Sequence, residues 1–114
     1  VIRAANGDFL LFFQIISEQM FLISLTYKKD LQELDAHLPA HSAFLDKYYQ
    51  AGKLIVSGRK VPRTGGIILA HQLTRTELEQ ILTEDPFYTN GLADYEITEF
   101  TPTKHAPEFK VFTD

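Results

Sequence analysis

The chain alternates between two hydrophobic periods. Residues 21–27 place Phe21, Ile23, Leu25 and Tyr27 on one side and Leu22, Ser24 and Thr26 on the other, the period of two that marks a strand. After the polar break Lys28-Lys29-Asp30 the period changes to that of a helix. Leu34, Leu38, His41, Leu45 and Tyr48 form one stripe, flanked by Phe44. Asp30 and Asp35 are both candidates for its N-cap. Pro39 suits the start of a regular helix better than its interior, so the segment opens as a loose turn and becomes regular near that proline. Gly52 closes it.

Residues 53–58 (KLIVSG) read as a second strand and residues 67–72 as a third. They are joined by a polar connection over 59–66 that holds Pro62 and Gly65-Gly66. Strict alternation puts Leu54 and Val56 on one face of the second strand and Ile55 on the other. Thr74-Arg75-Thr76-Glu77 is a capping box, and Leu78, Ile81 and Leu82 supply the apolar face of the helix it opens. Asp85-Pro86-Phe87 breaks that helix, and Asn90-Gly91 marks a turn. A fourth strand lies within 92–100, with Tyr95, Ile97 and Glu99 opposing Glu96, Thr98 and Phe100. The order β-α-β-β-α-β is that of a ferredoxin-like α+β fold, a four-stranded antiparallel sheet with both helices on one face. The second and third strands carry apolar residues on both faces, so the sheet needs a second layer. A homodimer formed through the sheet face supplies one.

Composition narrows the function classes. The chain has 114 residues, 45% of them hydrophobic and 23% charged, which suits one globular domain. It has no cysteine, which excludes disulfides, thiolate nucleophiles and cysteine-bound metal and suits a cytoplasmic protein. The formal net charge of −4 gives no basic footprint for nucleic acid. No apolar run approaches the ~20 residues that span a bilayer. Residues 1–19 hold the apolar run 9–16 but no cleavage site of a secretory signal, and we read them as an N-terminal extension, native or not, to a domain over 20–101. Residues 102–114 form a C-terminal tail.

The candidate chemistry centres on His41, a titratable group on an apolar helix stripe. Such a ring is either a core histidine satisfied by a carbonyl or an acid/base group at a cleft. Asp85, beside a proline at a helix end, is either a turn-forming residue or the carboxylate that orients His41. Ser57 and Gly58 end the second strand, where a hydroxyl and an unobstructed backbone suit a ligand. Ser57, His41 and Asp85 make a formal Ser-His-Asp set, but no nucleophile-elbow sequence surrounds the serine. Arg59, Lys60 and Arg63 form a basic cluster, either a solvated loop or a clamp for an anionic substrate. His37 and His41 are four apart, but Pro39 lies between them and the glutamate of a zincin motif is missing, so no metal site is expected. His71 and His105 are given surface or structural roles. Tyr48, Tyr49, Phe87, Tyr88 and Tyr95 are candidates for pocket, core or interface. No phosphate loop or dinucleotide fingerprint is present, and no cofactor is expected.

Several short segments, in this order and spacing, resemble the YciI-like (YCII-related) family. They are HSAFLD from His41, GKLIVSG from Gly52, GGII from Gly65, Asp85-Pro86-Phe87, and GLA and YEITEF after Gly91. The resemblance implies the dimeric α/β-barrel arrangement, in which two sheets pack face to face, with muconolactone isomerase and small monooxygenases as distant relatives. It also implies a His-Asp acid/base pair, matched here by His41 and Asp85, with Ser57 and Gly58 nearby. Many members carry proline after that glycine, where this chain has Arg59. The resulting expectation is a small enzyme of isomerase or lyase type that acts on a small anionic or carbonyl-bearing molecule. The alternatives are a non-catalytic metabolite-binding or regulatory module and, by superfamily analogy alone, a haem-handling monooxygenase-like protein.

Overall fold

A computed structural model describes residues 19–113. Strands β1 (Met20–Tyr27), β2 (Leu54–Arg59), β3 (Gly65–His71) and β4 (Ala93–Phe100) form one antiparallel sheet in the order β2-β3-β1-β4. Helices α1 (Leu31–Ala36) and α2 (Leu38–Gln50) connect β1 to β2, and α3 (Arg75–Leu82) and α4 (Pro86–Thr89) connect β3 to β4. This is the α+β fold read from the sequence. The tail adds a 3-10 helix, Pro107–Phe112, anchored where His71 Nδ1 donates to the Phe112 carbonyl at 3.0 Å. The apolar run 9–16 lies outside the described residues.

The core lies between the sheet and the helices. Phe21, Ile23 and Leu25 of β1 and Ile68 and Ala70 of β3 point into it and meet Leu34, Phe44, Leu78, Leu82 and Phe87. Burying each of the larger side chains contributes about 1.5–3 kcal/mol. The single helical stripe of the sequence reading is broken in two. α1 starts at Asp30, whose side chain accepts from Glu33 N–H, and ends at His37, and Pro39 sits in the first turn of α2. The register therefore does not run through. Phe44, not Leu38, carries the α2 contribution to the core, and Leu38 is exposed.

The second correction concerns β2. Leu54 pairs with Ala70 and Val56 with Leu69, so Ile55 is an extra residue in a β-bulge. Leu54 faces the helices while Val56 faces outward and is exposed, against the shared face that alternation predicts. Downstream of the bulge, Ser57 stands opposite the core residue Ile68, and Arg59 opposite Gly66. Both are turned to the helix side. The β2–β3 connection is also shorter than the sequence suggests, because Arg59 ends β2 and Gly65-Gly66 begin β3. A Cβ on Gly65 would lie 1.8 Å from the Leu25 carbonyl oxygen, so only glycine permits β1 and β3 to pair there.

Candidate active site

Asp85 and Pro86 do more than stop a helix. Asp85 is the N-cap of α4: its Oδ1 accepts the Phe87 N–H at 3.0 Å, and Pro86 fills the first helical position, where no N–H is required. One side chain thus both caps the turn and contacts His41. The carboxylate is fully buried, yet both its oxygens are partnered. Oδ1 also accepts from His41 Nδ1 at 2.7 Å, and Oδ2 accepts the Tyr95 hydroxyl at 2.5 Å. Three donors from α2, α4 and β4 converge on one group, which offsets the cost of burying it.

The same short helix fixes the plane of the imidazole. Phe87, two residues after Asp85, stacks on the His41 ring with centroids 4.0 Å apart and planes 3° from parallel. With Nδ1–H committed to Asp85, the neutral ring is held in the tautomer whose Nε2 carries the lone pair. Nε2 has no hydrogen-bond partner among the described residues, and the ring is 12% exposed. Burial first, and then the Asp85 carboxylate, push the Tyr95 hydroxyl far above the ordinary phenol range, so it remains a donor.

His41 borders a cavity of about 320 Å³ between α2 and the sheet, at the small end of the ligand-site range. Leu25, Leu45, Ile68 and Phe87 give it apolar walls, and Ser57, Gly58 and Arg59 belong to its rim and lining. Ser57 does not bond to His41. Its hydroxyl pairs with the Tyr49 hydroxyl at 2.7 Å, so the formal Ser-His-Asp set is not a triad. Arg63 also lines the cavity and is ion-paired with Asp35 of α1 at 2.5 Å. That contact lowers the carboxyl of Asp35 and raises the guanidinium of Arg63. His37 turns to the Glu33 carbonyl and His105 to the Ala106 carbonyl, both away from His41.

Sequence reasoning did not single out the roles of Tyr95, Tyr49 or the Asp35–Arg63 pair. The signal for Tyr95 was present: a hydroxyl on the strand face that also carries Ile97 needs a buried partner.

The pattern of the YCII-related domain matches residues 20–101. The chain belongs to the YCII-related domain family. No curated protein matches this family member by sequence. Among solved structures it is similar to the 5-chloro-2-hydroxyhydroquinone dehydrochlorinase of Burkholderia phenoliruptrix in complex with 2,5-dihydroxybenzoquinone. The identity is 22% and the TM-score 0.62, over 78% of this chain and 97% of that one. It is also similar to SnoaB, a cofactor-independent oxygenase from Streptomyces nogalater, with 12% identity and a TM-score of 0.47 over 79% of this chain and 98% of that one. The first likeness is one of fold and agrees with the four-stranded antiparallel sheet and helices of this YCII-related chain. Among the described residues no helix is long and apolar enough to cross a membrane.

Proposed function

We propose that this YCII-related protein is a cofactor-independent enzyme in which His41, oriented by Asp85, moves a proton on a small molecule held in the cavity. The observation that carries this reading is the Nδ1–Asp85 contact at 2.7 Å on a ring that borders the cavity. A base of this kind removes a C–H proton through Nε2. It then returns the proton elsewhere on the molecule, an isomerisation, or the electron pair expels a leaving group, a lyase reaction. A dehydrochlorinase shares the fold, and loss of HCl is a reaction of the second type. Ser57 and Gly58 contact the substrate at the rim, and Arg59 contributes charge. Asp85 and Tyr95 act as positioning residues.

The reading includes a cytoplasmic homodimer. Leu22, Ile67 and Leu69 are half-buried on the outer face of the sheet and Val56 is exposed there, an apolar stripe that a second sheet would cover.

Hydrogen–deuterium exchange at carbon tests the chemistry on a range of compounds at once. A panel of small carbonyl acids and hydroxylated aromatic compounds is incubated with the protein in D2O, and loss of C–H signals is followed by proton NMR. The wild-type protein is expected to wash out a signal in at least one compound, and His41→Gln to slow this about 100-fold or more. Equal exchange by His41→Gln and Asp85→Asn overturns the reading. Ligand-dependent thermal stabilisation with no exchange across the panel favours the binding-module alternative.

A further inference from the structure

Three basic side chains flank the β2–β3 connection, and the fold separates them. Lys60 reaches Thr26 Oγ1, on the outer face of the sheet, and takes no part in the cavity wall. Arg59 and Arg63 do line the cavity, Arg59 because the bulge at Ile55 turns it to the helix side. Among the described residues no carboxylate lines it. A chain of net charge −4 thus lines this cavity with two arginines and, among the described residues, no acid. Low-dielectric walls such as Leu25, Leu45 and Ile68 strengthen the field of those cations.

The state of Arg63 sharpens the picture. One of its Nη atoms bonds Asp35 Oδ1, and Asp35 itself stands outside the lining, on α1. A guanidinium offers five donors in a planar fork, so this contact leaves others available and fixes the direction of the group. Arg59 has no ion-pair partner among the described residues.

We propose that the cavity takes a small organic carboxylate whose anionic group is received by Arg59 and Arg63, with Asp35 orienting Arg63 and competing for it. This inference rests on the cavity being the substrate site and adds the charge of the substrate. The guanidinium fork matches the two oxygens of a carboxylate, and the apolar and aromatic walls accept its carbon skeleton. Arg63 then becomes a specificity determinant, and Lys60, the third member of the basic cluster, does not.

Calorimetric titration with benzoate and its neutral analogue benzamide tests this. Benzoate is expected to bind about tenfold or more tightly than benzamide. Arg59→Gln and Arg63→Gln should each remove that preference, and Lys60→Gln should leave it intact. Asp35→Asn is the informative variant. Removing the competing carboxylate should tighten benzoate binding severalfold, whereas loss of a merely structural brace would weaken it. Benzoate binding is read without turnover, so a carboxylate preference with no C–H exchange, or exchange with no carboxylate preference, separates failure of the proton-transfer reading from failure of the anion site. Equal binding of benzoate and benzamide, no binding of either, or retention of the preference in both arginine variants overturns the proposal. Weaker benzoate binding by Asp35→Asn overturns the role given to Asp35.

Discussion

Asp85 holds the site together through three hydrogen bonds, and the two from the His41 and Tyr95 side chains can each be removed alone. Tyr95→Phe leaves Oδ2 without a partner in a dry environment, so the variant should lose about 1–3 kcal/mol in urea denaturation. The pH dependence carries a sign. The Tyr95 hydroxyl is raised above its ordinary value by burial and then by Asp85, so the folded protein retains a proton that the unfolded chain loses above about pH 10. Its contribution to stability is complete below that pH and is lost as pH rises beyond it. The alkaline decline in stability should therefore be shallower in Tyr95→Phe than in the wild type. Asp85→Asn keeps the shape but cannot accept from both His41 and Tyr95 as the carboxylate does, and the same measurement should show a loss of about 1–3 kcal/mol. His41 and Asp85 were legible because each breaks a local rule: a titratable ring on an apolar stripe, and an acid beside a proline. Their distance was not legible, nor was Tyr95 as the third member, because those contacts join different elements.

At the scale of elements, the sequence reading went wrong where a single residue or turn interrupts a period. The bulge at Ile55 reverses the faces of Val56, Ser57 and Arg59, and the break at His37 separates two helices that share one apolar pattern. The bulge leaves no compositional mark, whereas Pro39 marks where the regular helix begins, and the capping box at Thr74 and Glu77 is written in the residues and forms as read. Glycines in this half of the sheet separate structure from ligand access. Gly65→Ala forces a Cβ into the Leu25 carbonyl and should cost about 3 kcal/mol or more in denaturant titrations. Gly58→Ala meets nothing within 4 Å and should leave stability within about 0.5 kcal/mol of wild type. On the helix side, Glu84 accepts from Lys47 and Tyr48 and braces α2 against the α3–α4 corner. Those bonds depress the Glu84 carboxyl, so their contribution is present above its ordinary pKa and fades as pH falls through the lowered value.

At the scale of the molecule, the outer face of the sheet carries the apolar stripe of Leu22, Val56, Ile67 and Leu69. The account predicts a dimer by light scattering, and Val56→Asp or Leu69→Asp should give monomers or unfold the protein. A cooperative, folded wild-type monomer at micromolar concentration would contradict that arrangement. The order of elements was legible from the two periods alone, and the need for a second layer followed from apolar residues on both faces of β3. The site itself is a property of the whole fold: α2 supplies His41, α4 supplies Asp85 and Phe87, β4 supplies Tyr95, and the bulged β2 turns Ser57 and Arg59 toward them. Everything proposed about chemistry depends on the imidazole presenting a bare Nε2 to the cavity. Long-range proton–nitrogen correlation NMR on labelled protein, at a pH where the ring is neutral, reads this directly. The account predicts that His41 carries its proton on Nδ1 and that Asp85→Asn abolishes this preference; a proton on Nε2 in the wild-type protein would contradict it.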